Sequence, residues 1–336
     1  MSAVDGVSIG VDLGGTNLRV AAFTAGLERL GSHTLPTRLA AGPQAVVADI
    51  AHSVHRMYAE LGTGRSIAGV GVGSPGPLDL PAGTLHNPPN LPGFDGLELK
   101  LELEKLLPWP VVIESDANAA AYGELVAGAA LDCNTDSLCM ITLGTGVGGG
   151  IVLNRQLWHG MTGMAGEIGH GPLISDGPVC SCGAQGCLEL YASATAVVRH
   201  ARALAMEGSA AAIRELMDRE PNFSARDVAR LASGGDHATA QIFSRVGEVL
   251  GLSLANLVNT LNLPLYVIGG GLAAAWRLFA PELFRSLAES SYVYRQAQPR
   301  DPYIFEAGKT HVVPSRLGSE AGLVGAAMLP FTNFHG

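Results

Sequence analysis

The sequence predicts an α/β fold with two domains, and three observations support this prediction. The chain has 336 residues, which is about twice the length of an ordinary domain. A pattern of strand, glycine turn and strand occurs at residues 8–23 and again at 137–153, near the start of each half. Elsewhere, helical spacing of apolar residues alternates with short buried strand patterns. The repeated pattern indicates an internal duplication within an α/β protein.

The individual elements are predicted from periodicity and from the glycines and prolines at their ends. The predicted strands are 8–23 (two strands around a turn), 67–73, 110–113, 137–153 (again two strands) and 265–268. The predicted helices are 45–61, 96–107, 116–127, several segments within 190–262, and 319–329. We expect an N-terminal α/β domain at 1–124, joined by a C-terminal helix at 319–330, and a larger α/β domain at 125–318. No low-complexity linker separates them, so a hinge is expected near residue 125.

The composition argues against several classes of protein. Hydrophobic residues make up 47% of the chain and the net charge is −9. The chain can therefore bury a core, and it has no basic block for nucleic acid or an anionic membrane. Residues 1–10 lack the basic and apolar regions of a signal peptide. The most apolar window, residues 263–276, contains a proline and three glycines and is shorter than the about 20 residues of a membrane span. We expect a cytoplasmic protein.

Two glycine turns are candidates for phosphate binding. The first contains Asp12, Gly14, Gly15 and Thr16, and the second contains Gly144, Thr145 and Gly146. Glycines at a strand end allow successive backbone N–H groups to point into one concave surface, which suits phosphate oxygens, and the aspartate is suited to hold a Mg²⁺-bound water. The alternative is a pair of hairpin turns whose glycines serve only a positive φ. The occurrence of two such turns favours phosphate.

A cluster of cysteines in the second half indicates a metal site. His170, Cys180, Cys182 and Cys187 offer one imidazole and three thiolates within a single loop, which is a closed ligand set for structural Zn²⁺. In a cytosolic protein such spacing favours metal over disulfides. The alternative is three reduced cysteines in a flexible loop. Cys139 lies in an apolar strand and is interpreted as a core residue.

Several carboxylates lie where catalytic groups occur in α/β proteins. Asp116 follows Ser115 at the end of a predicted strand and the start of a predicted helix, where the helix dipole favours an ionised base. The alternative is that one of these two residues only caps the helix. Glu167 and Glu189 flank the metal loop and are candidates for hydrogen bonds to sugar hydroxyls. For both, a supporting contact to a metal ligand or a surface charge is the alternative.

These motifs together resemble the ROK family of bacterial sugar kinases and repressors. The resemblance covers nearly the whole chain, through residues 12–19, 114–121, 143–150, 167–170, 180–189 and 269–271. It implies an actin/hexokinase-like fold, in which two ribonuclease-H-like domains close on sugar and ATP in an interdomain cleft. Repressors of the family carry an added N-terminal helix-turn-helix domain; because the first motif begins at Asp12, we expect no such domain in this protein.

The resemblance also implies roles for individual residues. Asp116 would be the general base of the reaction. The residues expected to bind the sugar are Gly76, Asn90, Ser115, Asp116, Glu167, His170 and Glu189. The residues expected to bind ATP and Mg²⁺ are those of the two glycine turns together with Gly269, Gly270 and Gly271, which would lie near adenosine. His170 would use one ring nitrogen for zinc and present the other side of the ring to a sugar hydroxyl.

Within the family, residues 74–77 and 191–196 resemble the glucokinase branch most closely. N-acetylmannosamine kinases tend to have an arginine where this chain has Pro77. Two positions depart from the family pattern. Ser115 replaces the usual asparagine before the catalytic aspartate, and Phe94 replaces the tryptophan that is usual in glucokinases. Both departures are expected to affect how the sugar is bound.

The function expected from the resemblance is ATP-dependent phosphorylation of glucose to glucose 6-phosphate, with ATP, Mg²⁺ and structural Zn²⁺ bound. The alternative within the same class is a kinase for N-acetylmannosamine, N-acetylglucosamine, mannose or fructose. A non-catalytic sugar-sensing protein is the alternative from a different class. An actin-like filament or chaperone ATPase is disfavoured by the metal loop. We expect a homodimer or higher homo-oligomer, with no nucleic-acid or membrane partner.

Overall fold

The computed structural model describes residues 6–62 and 64–332. Residues 1–5, on which part of the signal-peptide prediction depends, lie outside the described residues. The strands are β1 (Val7–Leu13), β2 (Asn17–Thr24), β3 (Arg29–Pro36), β4 (Ile67–Ser74), β5 (Leu78–Asp79), β6 (Thr84–Leu85), β7 (Val111–Ser115), β8 (Leu138–Leu143), β9 (Val147–Leu153), β10 (Gln156–Leu157), β11 (Leu265–Gly269) and β12 (His311–Pro314). The α-helices are α1 (Pro43–Glu60), α2 (Leu99–Leu106), α3 (Asp116–Ala127), α4 (Ala129–Asp132), α5 (Glu189–Ala192), α6 (Ala194–Met206), α7 (Ala211–Arg219), α8 (Ala225–Ser233), α9 (His237–Leu261), α10 (Trp276–Ser290), α11 (Tyr292–Ala297) and α12 (Ala321–Met328).

Every strand and helix that the sequence predicts has a counterpart in the structure. Helix α3 has the predicted bounds, and the others differ by a few residues at their ends, as helix ends commonly do. The elements that were not predicted are the short strands β5, β6 and β10, the short helices α4 and α11, and the longer elements β3, α10 and β12. No residue of strand β3 is fully buried, and its sequence lacks a strong apolar pattern. Helix α10 contains Pro281, which is an unfavourable signal inside a helix.

The two main sheets have the same topology. The first has the strand order β3-β2-β1-β4-β7, and the second has the order β10-β9-β8-β11-β12. In the first sheet, β1 pairs antiparallel with β2 and parallel with β4, which pairs parallel with β7. In the second sheet, β11 pairs parallel with both β8 and β12. Numbered along the chain, both sheets read 3-2-1-4-5, which agrees with the internal duplication inferred from the sequence.

The chain divides into two compact units. The first comprises the described residues within 1–137, 150–166 and 319–336, and the second comprises 138–149 and 167–318. The core of the first unit is formed by strands β1, β2, β4 and β7 with helices α1 and α2. The domain boundaries expected from the sequence, at 124/125 and 318/319, stay a prediction. Among the described residues, no helix is long and apolar enough to span a bilayer.

The C-terminal helix α12 packs closely on α3 within the first unit, because small residues let the two backbones approach. A Cβ atom at Gly123 would lie 2.2 Å from the carbonyl oxygen of Ala321, and one at Gly325 would lie 1.7 Å from that of Ala119. Neither site has room for a side chain, since real Cβ contacts are longer than 3.0 Å. The end of the chain thus supports the helix that begins at Asp116.

Candidate active site

The first unit collects several predicted site residues at one edge of its sheet. Strands β1, β4 and β7 are parallel neighbours, so their carboxyl ends lie at the same edge, where ligand sites of α/β folds occur. Asp12 is in register with Gly73, which is in register with Glu114. Ser115 ends β7 and Asp116 begins α3. The sheet therefore brings the aspartate of the first glycine turn and the predicted base to the same edge.

Ser115 is the N-cap of helix α3. Its backbone is extended, and its hydroxyl oxygen accepts a 3.2 Å hydrogen bond from the backbone N–H of Asn118. The cap of α3, for which Ser115 and Asp116 were both candidates, is therefore supplied by Ser115. Asp116 lies in the first helical turn, where the helix dipole stabilises the ionised carboxylate.

Directly before this cap, Glu114 accepts three hydrogen bonds. Its Oε1 accepts from the backbone N–H of Ser115 at 2.8 Å and from Nδ2 of Asn118 at 2.9 Å, and its Oε2 lies 2.7 Å from Nε2 of His159. Its side chain is 5% exposed. Hydrogen bonding to this carboxylate raises the pKa of His159, against the opposing effect of burial. No local sequence pattern indicates this pair, because 45 residues separate its members.

Arg19 binds the carboxylate of Asp12 on β1. Its Nε donates to Oδ2 of Asp12 at 2.8 Å, and its Nη2 contacts the same oxygen. A second carboxylate, Glu320, accepts from Nη1 at 3.2 Å. Both of these contacts from Arg19 reach Oδ2 of Asp12. Arg19 belongs to the family motif at residues 12–19, but no role was predicted for it.

The first glycine turn is in contact with the segment that contains Asn90. A Cβ atom at Gly15 would lie 2.8 Å from the carbonyl oxygen of Asn90, so only glycine fits there. The exposed side chain of Asn90 lies on this loop, and Gly76 follows β4 within the same unit. Phe94 is fully buried in the core of the first unit. The expected effect of this ring on sugar binding stays a prediction.

The second glycine turn, at residues 144–146, joins β8 to β9. The segment that follows the metal loop supports it: the hydroxyl of Thr195 donates to the carbonyl of Thr145 at 2.8 Å, and the N–H of Ala194 donates to that of Gly144 at 2.8 Å. The glycines of this turn do not have positive φ, and neither do those of the first turn. The alternative interpretation, that these glycines serve a left-handed backbone, is therefore excluded.

The run Gly269–Gly271 lies beside the second glycine turn. Gly269 ends β11, in parallel register with Thr142 on β8. Gly270 has a φ of 81°, and a Cβ atom there would lie 2.4 Å from the carbonyl oxygen of Leu143. A side chain at this position would be both strained and obstructed. The two segments predicted to bind nucleotide are thus adjacent at the carboxyl ends of neighbouring strands.

The four predicted metal ligands meet in the second unit. One ligand atom from each of His170, Cys180, Cys182 and Cys187 lies within 4.8 Å of all the others. Nδ1 of His170 is 3.6 Å from Sγ of Cys180, and Sγ of Cys182 is 3.7 Å from Sγ of Cys187. Tetrahedral Zn²⁺ with its usual bond lengths separates such atoms by about 3.6 and about 3.8 Å.

The protonation behaviour of these thiols also suits a cation. A hydrogen bond from the backbone of Ala184 lowers the pKa of Cys182. Burial raises the pKa of Cys187 to about 12, so its thiolate needs a nearby positive charge to persist at neutral pH. Geometry and chemistry of the donor set therefore fit Zn²⁺. His170 directs Nδ1 toward the sulfurs, which leaves Nε2 on the opposite side of its ring.

The two carboxylates that flank the metal loop differ in their surroundings. Glu167 is exposed and precedes the short 3₁₀ turn that ends at His170. Glu189 is half-buried, and its Oε2 accepts a 2.9 Å hydrogen bond from the backbone N–H of Val147. A Cβ atom at Gly146 would lie 2.3 Å from the same oxygen. Glu189 is thus tied to the second glycine turn, a contact that the sequence did not predict.

Nearly the whole chain is similar to proteins of one family. The ROK family model matches residues 8–332. A glucokinase of Halalkalibacterium halodurans is 33% identical over 323 residues, which are 96% of this chain and 94% of that protein. An N-acetylmannosamine kinase of Shigella boydii is 31% identical over 322 residues, which are 96% of this chain and 97% of that protein.

Solved structures of the family have the same architecture. A ROK family glucokinase from Streptomyces griseus, in complex with glucose and AMPPNP, is 32% identical with a TM-score of 0.76, over 96% of this chain and 99% of that chain. A ROK hexokinase from Thermus thermophilus is 31% identical with a TM-score of 0.76, over 96% of this chain and 97% of that one. These similarities confirm the predicted actin/hexokinase-like α/β fold. By sequence and by structure, the chain belongs to the ROK family.

Proposed function

We propose that this protein is an ATP-dependent hexose kinase that converts glucose to glucose 6-phosphate, with Asp116 as the general base. The observation that carries this proposal is the placement of Ser115 and Asp116 at the start of α3. Ser115 caps the helix, and Asp116 lies at its first position, at the carboxyl edge of the first sheet, where the helix dipole favours the ionised carboxylate that a general base requires. The similarity to glucokinases, one of them solved with glucose and an ATP analogue, supports glucose as the substrate.

The chemistry follows from the properties of a carboxylate at a helix start. Asp116 accepts the proton of the 6-hydroxyl group while that oxygen attacks the γ-phosphorus of ATP. The bond from the γ-phosphorus to the bridging oxygen breaks, and ADP leaves. Positioning and charge stabilisation supply most of the rate in such transfers. Sugar hydroxyls are held by Gly76, Asn90, Ser115, Glu167, His170 and Glu189.

The nucleotide is bound by backbone groups more than by side chains. Only three lysines occur in the chain, so N–H groups of the two glycine turns and of Gly269–Gly271 are the available phosphate and ribose partners. Mg²⁺ would neutralise charge on the phosphates when bound, and Asp12 would help to hold it. Structural Zn²⁺ is held by His170 and the three loop cysteines. A cytoplasmic location and a homo-oligomeric state stay predictions.

A second candidate substrate class is N-acetylated hexosamine, because the N-acetylmannosamine kinase covers as much of the chain as the glucokinase does. Pro77, where those kinases tend to have an arginine, and the glucokinase-like residues around it favour glucose. A non-catalytic sugar-sensing protein is the remaining alternative. Sugar-dependent consumption of ATP would distinguish either kind of kinase from such a sensor.

The test is a coupled ADP-release assay on zinc-loaded protein with ATP and Mg²⁺. The sugars are glucose, mannose, fructose, glucosamine, N-acetylglucosamine and N-acetylmannosamine, with a reaction lacking sugar as the background. We expect ADP release with glucose at a higher kcat/KM than with any other sugar. A higher kcat/KM with an N-acetyl sugar than with glucose would favour the second candidate substrate class. Absence of ADP release with all six sugars would contradict the kinase proposal.

A further inference from the structure

The buried carboxylate of Glu114 organises the residues on both sides of Asp116. Ser115 precedes Asp116 and Asn118 lies two positions after it, and both donate to Oε1 of Glu114. The remaining oxygen, Oε2, is bound by Nε2 of His159 at 2.7 Å. A carboxylate that is 5% exposed requires such partners, because an unpaired buried charge is costly.

The orientation of Asn118 depends on this carboxylate. Among the buried side-chain nitrogen and oxygen atoms of the described residues, only Oδ1 of Asn118 lacks a hydrogen-bond partner. The bond from its Nδ2 to Glu114 is therefore the polar contact that orients the amide. Asn118 also packs against Gly150, where a Cβ atom would lie 3.1 Å from the asparagine Cα. Movement of the Glu114 side chain would consequently be transmitted to the first turn of α3.

His159 belongs to a different part of the chain from the groups that it supports. It follows β10, and its own carbonyl oxygen accepts a 3.1 Å hydrogen bond from the N–H of Ala165, which folds residues 159–165 back on themselves. Its ring is 31% exposed, against 5% for Glu114. The imidazole thus covers the buried carboxylate from the solvent side.

We propose that His159 is a positioning residue for the phosphotransfer: by holding Oε2 of Glu114, it fixes Ser115 and Asn118 and thereby the geometry of the Asp116 carboxylate. This inference rests on the proposed function. His159 itself exchanges no proton with the substrate. Its role is to prevent Glu114 from turning toward solvent or toward another donor, which would displace the strand end that precedes Asp116. A displacement of about 1 Å at a reacting group lowers rates by about 100-fold.

Three single variants test the proposal. His159→Leu removes the donor, and His159→Gln replaces it with an amide donor. The third variant, Glu114→Gln, removes the negative charge of the carboxylate to which either the imidazole or the amide would donate. We expect His159→Leu to lower kcat at least about tenfold with little change in KM for ATP, and His159→Gln to retain most of kcat, because only the donor is needed to hold Oε2. The double variant His159→Leu/Glu114→Gln should lose no more than its worse single parent, since both disturb one network.

Further measurements on the same proteins distinguish the positioning role of His159 from a purely structural role. Thermal unfolding and zinc content report folding, and kcat is expressed per folded molecule. The imidazole of His159 is titrated by NMR in wild type and in Glu114→Gln, where its pKa should move toward the ordinary value. Fully active His159→Leu, equal losses in the Leu and Gln variants, or additive losses in the double variant would overturn the positioning role. Wild-type protein that phosphorylates none of the six sugars would instead overturn the proposed function, and the positioning role with it.

Discussion

The carboxylate of Glu189 accepts a 2.9 Å hydrogen bond from the backbone N–H of Val147. Glu189 follows the metal ligand Cys187 by two residues, and Val147 is the first residue after the glycine turn at 144–146. The bond therefore connects the metal loop to a turn that is proposed to bind phosphate. Gly146 has no side chain to interfere, since a Cβ atom there would collide with the same carboxylate oxygen.

Glu189→Ala should weaken ATP binding as well as sugar binding. Removal of the carboxylate leaves the N–H of Val147 without its acceptor and frees the glycine turn. A hydrogen bond to a charged group contributes about 1.5–3 kcal/mol, so we expect KM for ATP to rise by about tenfold or more. Steady-state kinetics with ATP varied at saturating glucose, and calorimetric binding of ADP, measure the effect.

Glu189→Gln is the matched control, because the glutamine oxygen can still accept the bond from Val147. It should keep KM for ATP close to wild type while altering any contact that needs the negative charge. If Glu189→Ala changes only KM for glucose, the bond to Val147 has no part in nucleotide binding and Glu189 acts on the sugar alone.

Asp116→Ala should abolish phosphotransfer while glucose binding stays measurable. A positioned general base contributes about 100- to 10,000-fold to the rate, and the helix cap is supplied by Ser115, so folding should be preserved. Turnover is measured by ADP release and glucose binding by calorimetry. Glu215→Ala, which alters an exposed carboxylate on α7, controls for charge removal. Near-normal turnover of the Asp116 variant would show that Asp116 is not the general base.

Cys182→Ser should release zinc and destabilise the second unit. Three ligands bind Zn²⁺ far less tightly than four, and structural zinc contributes directly to folding free energy. Metal content by mass spectrometry should fall from one zinc per chain toward none, and thermal unfolding should shift to lower temperature. Cys133→Ser, outside the ligand cluster, should keep its zinc. A Cys182 variant that is metal-free and fully stable would contradict a structural metal at this loop.

The pair of His159 and Glu114 predicts a pH dependence of stability. Hydrogen bonding to Glu114 raises the pKa of His159 in the folded protein, so folding favours the protonated imidazole. The stabilisation is fully present below the unfolded pKa of about 6.5 and is lost as pH rises through the higher folded pKa. The free energy of unfolding of wild type relative to His159→Gln should therefore fall as pH rises from about 6.5 through the folded pKa of His159. Urea denaturation measures it, and a difference that is independent of pH would show that the imidazole stays neutral.

Gly123→Ala should destabilise the first unit. The new Cβ atom would lie 2.2 Å from the carbonyl oxygen of Ala321, so α12 must move away from α3. Overpacking of this kind costs about 1–3 kcal/mol. Gly26→Ala, where the nearest atom is 3.7 Å away, is the matched control and should be nearly neutral. Equal stability of the two variants, measured by urea denaturation, would mean that α12 does not pack closely on α3.

The sequence was sufficient to predict the elements with strong local signals. Alternating and helical apolar patterns identified most strands and helices, and the cysteine spacing identified the four ligands that the fold brings within 4.8 Å. Strand β3 was missed because none of its residues is fully buried, and α10 was missed because a proline lies within it. Whether each predicted site residue binds sugar or nucleotide stays a prediction.

What the sequence alone determined is the family motif set, the α/β class and the residue types available for catalysis and metal binding. These depend on local spacing, which is present in the chain before it folds. Only the tertiary structure decided that Ser115 caps α3, that Phe94 is a core residue, and that Glu114 meets His159. The pair of Glu114 and His159 joins residues far apart in sequence. The cap of α3 depends on which of two neighbouring side chains accepts the backbone N–H of Asn118. They follow from the packing of strands and helices, because no local pattern encodes a hydrogen bond across 45 residues.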